Sequence, residues 1–159
     1  MKNPCALFRA DDGSSLIELA VMSPLLIALA FGTIEVGTYM YDGIEVGNGA
    51  RAAVQYGAQG STSSIPATYL DTPGIIAAAQ ADAQQVTLTR PTATDVTRYF
   101  TCDKVPDTSY TTTPTCAAND HVDTYLQVVA AGTFRPMLAI PGIPSVLTIS
   151  RTAVQQVSP

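Results

Sequence analysis

The chain has 159 residues, which is enough for one domain of ordinary size and an anchor segment. Hydrophobic residues make up 47% of the chain and charged residues 13%, which is about half the charged share of a typical soluble domain. The net charge is −5, and no cluster of basic residues offsets it, so we do not expect the protein to bind nucleic acid.

A long apolar segment follows the polar N-terminal residues 1–13. Within residues 16–41 only Glu18 and Glu35 carry a charge. About 16 residues separate these glutamates, or roughly 24 Å of helix, whereas a hydrocarbon core is about 30 Å thick. At least one glutamate should therefore lie close to a membrane interface. The helical pattern continues beyond the apolar segment and predicts one helix over Ser15–Gln59.

The basic and cysteine residues indicate an orientation. Lys2 and Arg9 precede the apolar segment, which weakly favours a cytoplasmic N-terminus. Cys102 and Cys116 lie together in the C-terminal half, and we predict that they form a disulfide in an oxidising compartment, with Cys5 either on the cytoplasmic side or cut away. The alternatives are two unpaired thiols or half of a metal site.

Beyond Gly60 the composition becomes polar and rich in threonine, and the pattern predicts one short helix and a small sheet. Thr72-Pro73 predicts the helix start, with a capping hydroxyl followed by proline in the first turn. The predicted strands are Gln85–Thr89, Val96–Thr101, His121–Phe134 and Val146–Val157. The expected fold class is α+β, with a long N-terminal transmembrane helix that extends into a small domain built on a mainly antiparallel sheet.

The start of the apolar helix permits three interpretations. Ser15 and Glu18 fit a capping box, which would be purely structural. A secretory signal peptide cut after Ala30 is disfavoured, because acidic residues precede the apolar run and the run continues past Ala30. A hydrophilic leader removed between Gly13 and Ser14 would place Glu18 one helical turn from a new amino terminus. A carboxylate in lipid needs a partner, and the ammonium group of a neighbouring helix could supply it.

The N-terminal segment resembles a known family, the TadE-like proteins, which are minor pseudopilins of the Flp/Tad tight-adherence pilus system. The resemblance lies in GSSLIELAVMSPLLIALAFGTIEVGTYMY and the following VGNGARAAVQYGA. The residues that match the family pattern are Gly13, Glu18, Pro24, Gly32, Glu35, Gly37, Ala50, Arg51, Tyr56 and Gly57. The C-terminal FRPMLAIPGIPSVLTISRTAVQ also resembles the family's closing segment.

The resemblance implies a structural role in pilus assembly. It implies cleavage by a prepilin peptidase at Gly13–Ser14 and assembly through Glu18. The implied partners are other pilin or pseudopilin subunits, the pilus assembly machinery, the peptidase and the lipid bilayer. The implied location is the bacterial inner membrane, with the N-terminus in the cytoplasm and the C-terminal domain in the periplasm.

We therefore predict four segments along the chain. They are a cytoplasmic leader (1–13), a transmembrane helix (14–41), the extracytoplasmic half of the long helix (42–60) and a periplasmic α+β domain (61–159). Pro24 would either bend the helix for packing or simply be tolerated in the membrane. Gly43 and Gly47 form a G-x-x-x-G step that could pack against a second helix or against the chain's own sheet.

No catalytic constellation is visible in the sequence. His121 is flanked by Asp120 and Asp123, but no nucleophile or further ligand is suitably spaced, so we expect a surface histidine. We predict no enzymatic activity, no cofactor, no metal and no small-molecule substrate. The main alternative function is an uncleaved bitopic protein whose periplasmic domain binds a protein through residues 136–144, and a membrane-tethered hydrolase is disfavoured.

Overall fold

The computed structural model describes residues 11–59, 68–102, 105–116, 120–138, 142 and 144–157. The fold is α+β, as predicted, with a long N-terminal apolar helix followed by a small antiparallel sheet. The chain divides into two compact units, Met1–Thr38 and Tyr39–Pro159. Most of the predicted leader, Cys5, and residues 139–141 and 143 of the predicted binding loop lie outside the described residues.

The described residues form two α-helices and five β-strands. They are α1 (Asp11–Gly57), α2 (Thr72–Asp82), β1 (Leu88–Arg90), β2 (Val96–Cys102), β3 (Val105–Tyr110), β4 (Val122–Phe134) and β5 (Leu147–Val157). Single 3-10 turns lie at Thr68–Leu70 and Ala93–Asp95.

Helix α1 begins earlier than the sequence pattern predicted. Ser15 lies inside the helix, four residues after its first residue Asp11, so it is not the N-cap and the capping-box interpretation is wrong for this chain. No proline lies between Asp11 and Ser15 to stop the helix from extending towards the N-terminus. The helix ends at Gly57 rather than Gln59.

The sheet is built around β4. Strand β5 pairs antiparallel with β4 in one unbroken register, from Phe134 opposite Leu147 to Thr124 opposite Val157. Strands β1 and β2 also pair antiparallel with β4, and β3 extends the sheet from β2. Three of the predicted strands match β2, β4 and β5 to within one residue at each end, whereas β1 is shorter than predicted.

Helix α2 is capped by a residue that the sequence analysis did not choose. The carboxylate of Asp71 accepts a hydrogen bond from the backbone N–H of Gly74 at 3.1 Å, so Asp71 is the N-cap and Thr72 is the first helical residue. The other carboxylate oxygen of Asp71 accepts the hydroxyl of Tyr56 at 2.7 Å. This pair of bonds ties the end of α1 to the start of α2.

The core of the second unit lies between residues 39–57 of α1, α2 and the sheet. One buried cluster contains Val46, Ala50, Val86, Ala130, Phe134 and Ile149. The other contains Ala53, Val54, Ile75, Ala79, Val96, Leu126, Val128 and Val157. Gly57 permits the close approach of α1 to β4, because a Cβ atom at this position would overlap the side chain of Leu126.

Candidate functional site

The first part of α1 presents apolar side chains that its own unit does not bury. From Leu16 to Val36 the large hydrophobic side chains are 46–68% exposed. The core helix of a soluble protein would bury such residues, so that explanation of the apolar composition fails. This stretch is about 30 Å long as a helix, which matches the hydrocarbon thickness of a bilayer. By length, composition and exposure, α1 could span a membrane.

Two threonine hydroxyls in and just beyond this segment form hydrogen bonds within the helix itself. The hydroxyl of Thr33 donates to the carbonyl of Ala30 at 2.8 Å, and the hydroxyl of Thr38 donates to the carbonyl of Glu35 at 2.9 Å. Because these hydroxyl groups donate to carbonyls of their own helix, they need no hydrogen-bond acceptor outside it. A segment of this kind is compatible with lipid, where water is absent and unpaired polar groups are costly.

The residue before Pro24 replaces a hydrogen bond that the proline removes from the helix. Proline has no backbone N–H, so the carbonyl of Ala20 loses its usual helical donor. The hydroxyl of Ser23 donates to that carbonyl at 3.3 Å. A serine directly before a proline in an apolar helix therefore indicates, from the sequence alone, that a hydroxyl group can replace the backbone donor that the proline lacks.

The predicted processing and assembly residues lie in the first turns of α1. Gly13 and Ser14 are the third and fourth residues of the helix. Glu18 is exposed and forms no ion pair with any residue in the part of the chain that the structure describes. The structure thus places Glu18 on the exposed surface of an apolar helix.

The predicted packing glycines face the chain's own sheet. A Cβ atom at Gly43 would lie 3.0 Å from the guanidinium of Arg151, and one at Gly47 would lie 3.8 Å from the Arg151 Cγ. The sequence analysis did not identify Arg151, because nothing in the pattern indicates which strand residue meets the helix. A groove of about 460 Å³ remains beside this contact. It is lined by Tyr39, Met40, Gly43, Ile44, Gly47, Asn48, Arg51 and Arg151.

The predicted disulfide is confirmed. Cys102 and Cys116 are bonded, with their Cα atoms 5.8 Å apart. The bond ties the end of β2 to the segment that follows β3. Among the described residues no group of three or more histidine, cysteine or acidic side chains is placed to hold a metal ion.

A buried carboxylate stabilises the turn between β1 and β2. Asp95 forms an ion pair with Arg90 at 2.5 Å and accepts the hydroxyl of Thr92 at 2.6 Å and its backbone N–H at 2.8 Å. Burial by itself raises the pKa of Asp95, but the bonds from Thr92 and Arg90 outweigh it and hold the pKa below its usual range. This cluster has a structural role and lies apart from the glycine face.

Comparison with known proteins supports the N-terminal resemblance. The family model described as TadE-like protein matches residues 13–55. The match confirms the resemblance of the N-terminal segment, although it stops just short of Tyr56 and Gly57 and does not include the C-terminal segment. Neither a curated protein nor a solved structure matches the chain.

Proposed function

We propose that this chain, with its TadE-like segment, is a processed pseudopilin that acts in Flp/Tad-type pilus biogenesis or secretion. One observation carries the proposal: the family match over residues 13–55 includes the stretch from Leu16 to Val36, whose large apolar side chains are exposed. The match also begins at Gly13, the residue after which the sequence predicts cleavage. The proposed role requires no catalytic group, cofactor or metal.

Cleavage would be a hydrolysis at the Gly13–Ser14 amide bond by a prepilin peptidase. Water would be consumed, the carboxylate would leave with the leader, and Ser14 would gain a free ammonium group. The bond lies near the N-terminal end of the described part of α1.

The role of Glu18 follows from the new amino terminus. The ammonium of Ser14 would lie about one helical turn, or roughly 6 Å, from Glu18 along the axis. An acidic side chain at the edge of the hydrocarbon region is still disfavoured without a partner. An ammonium from a neighbouring pilin or pseudopilin helix would remove part of this cost. Assembly with parallel helices would therefore be favoured over isolated subunits.

The proposed location is the bacterial inner membrane, with the N-terminus in the cytoplasm and the C-terminal unit in the periplasm. Lys2 and Arg9 before the apolar segment support this orientation. The disulfide between Cys102 and Cys116 also supports it, because such bonds persist in oxidising compartments such as the periplasm.

Processing can be tested with a matched pair of glycine variants. We expect Gly13→Val to accumulate as the full-length form in cells that contain a prepilin peptidase. Gly32→Val is the control, because a Cβ atom at Gly32 meets nothing within 4 Å. This control should be cut as fully as the parent chain. If the parent chain stays uncut, the protein is instead an uncleaved bitopic protein, and its outer unit is then the candidate binding module. If Gly13→Val is cut as fully as the parent chain, cleavage does not depend on Gly13 and the proposed processing site is wrong.

A further inference from the structure

The two edges of the sheet are protected very differently. Natural sheets guard exposed edges with short strands, prolines and irregular pairing. Strand β3 has six residues, includes Pro106 and pairs with a register shift. Strand β1 has three residues and also pairs with a register shift. Strand β5 has eleven residues, an unbroken register and no proline, glycine or lysine.

The hydrogen bonds of β4 show which backbone groups of β5 face away from the sheet. The carbonyl of Ala131 accepts the hydroxyl of Thr89 in β1, so the carbonyl of the next residue, Ala130, is directed to β5. Ala130 lies opposite Arg151, whose own N–H and C=O must therefore face β4. The carbonyl of Ser150 faces outward and accepts the Arg151 guanidinium at 3.0 Å.

The outward N–H groups then follow by alternation along the strand. They belong to Thr148, Ser150, Thr152, Val154 and Gln156. All five residues are exposed, and in the described part of the chain β5 pairs with β4 alone. This edge offers a row of outward backbone N–H donors to an incoming strand, which would have to displace the Arg151 guanidinium from the carbonyl of Ser150 to use that acceptor.

The groove beside β5 indicates which side chains a strand paired with β5 would have. Met40 is 63% exposed and Ile44 is 60% exposed, and both line the groove on the helix side. Alternate side chains of a strand added to β5 would point into this groove. Small or apolar side chains would fill it and cover Met40 and Ile44.

The charges at the groove indicate an acidic partner. Arg51 and Arg151 both line it, and neither forms an ion pair with another described residue. We propose that the outer edge of β5 accepts an extended strand from another protein. That strand would direct small or apolar side chains at α1 and place a carboxylate near Arg51 and Arg151. This inference does not depend on cleavage of the leader.

A second copy of the chain fits this edge poorly. Tyr39 packs on Phe134 near the start of β5, and Gly57 packs on Leu126 near its end, so this part of α1 runs parallel to β5. Two β5 strands related by a two-fold axis pair antiparallel, which would place the two Tyr39 ends at opposite ends of the shared sheet. Because Tyr39 lies near the C-terminal end of the apolar segment 16–41, copies anchored in one membrane need these ends on the same side.

The test uses the full chain in detergent micelles and two synthetic nine-residue peptides. The peptides alternate valine and threonine, and the central valine is replaced by glutamate in one and by lysine in the other. Amide hydrogen exchange at single residues measures binding. We expect saturating glutamate peptide to slow exchange by about tenfold or more at the five outward amides, and at Thr152 most clearly. The lysine peptide should bind roughly tenfold more weakly.

Variants separate edge pairing from other kinds of contact. Thr152→Pro removes one outward N–H without touching the bonds to β4, and it should abolish the protection, whereas Thr152→Val should retain it. Arg151→Glu should reverse the preference in favour of the lysine peptide, which keeps the test valid if the proline variant does not fold. Three results would overturn the proposal: no protection by the glutamate peptide, equal binding of both peptides, or concentration-dependent protection without peptide, which would assign the edge to a second copy.

Discussion

The hydroxyl of Ser23 donates a hydrogen bond to the carbonyl oxygen of Ala20 at 3.3 Å, in place of the N–H that Pro24 lacks. In lipid no water can take over this role, so the side chain completes the backbone bonding of a helix that contains a proline. The proline is thereby tolerated in an exposed apolar segment. The pairing of Ser23 with Pro24 is therefore compatible with lipid as the surroundings of the helix.

Replacing Ser23 with alanine should destabilise the inserted helix by about 1 kcal/mol. Thr33→Ala is the control, because the carbonyl of Ala30 also has its normal helical donor. The effect should vanish in a Pro24→Ala background, where the backbone N–H returns. A double-mutant cycle on steric-trap or denaturant unfolding in bilayers measures this coupling. An equal loss in both backgrounds would show that Ser23 does not compensate for Pro24.

Glu18→Gln should leave insertion intact and prevent co-isolation with other pilin or pseudopilin subunits. The amide keeps the size of the side chain and removes the charge that an ammonium group would pair with. Ser15→Ala is a suitable control, because Ser15 is inside the helix and does not cap it. Co-purification from gently solubilised membranes gives the readout. Normal assembly of the glutamine variant would exclude a pairing role for Glu18.

Gly57→Ala should destabilise the outer unit by about 2 kcal/mol, because the added methyl group overlaps Leu126. Gly37→Ala makes a matched control on the same helix, since a Cβ atom there meets nothing within 4 Å. Alanine at that position should be neutral or slightly favourable for the helix. Thermal unfolding monitored by circular dichroism compares the two variants. Similar stabilities would mean that α1 and β4 can separate without cost.

Acid should weaken the outer unit through Asp95. The pKa of Asp95 is lower in the folded state than in the unfolded chain, so its contribution is complete above the unfolded value of about 4 and is lost as the pH falls towards the folded pKa. Asp95→Asn should cost about 2 kcal/mol at neutral pH and flatten this part of the stability profile. Chemical denaturation between pH 2 and pH 7 measures both effects. An unchanged acid profile in the variant would assign the pH dependence to other groups.

The parts of the fold that sequence predicted well depend on local pattern. Strands β2, β4 and β5 are rich in valine, threonine, isoleucine and tyrosine, which favour strands, and the structure has strands at these positions. Strand β3 contains Pro106 and Asp107, which are rare in strands, and it forms because β2 offers it a partner. No strand was predicted there, because that partner is not visible in the local sequence.

The features of the site that could not be predicted from the sequence depend on how the helices and strands are aligned with one another in the folded chain. Asp71 and Thr72 are both good capping residues, and the choice between them is made by Tyr56, which bonds to Asp71 from α1. The contact of Gly43 with Arg151 depends on how β5 is aligned with the helix. The disulfide was predictable because only two cysteines share the C-terminal half of the chain.

The amino-terminal residue of the membrane-inserted protein tests the central claim most directly. Intact mass and N-terminal sequencing of the protein from native membranes should give Ser14 as the first residue, with Glu18 as the fifth. A retained Met1 or Lys2 would contradict processing and favour an uncleaved bitopic protein. A first residue of Phe31 would contradict the membrane anchor itself, because most of the exposed apolar segment would then have been removed.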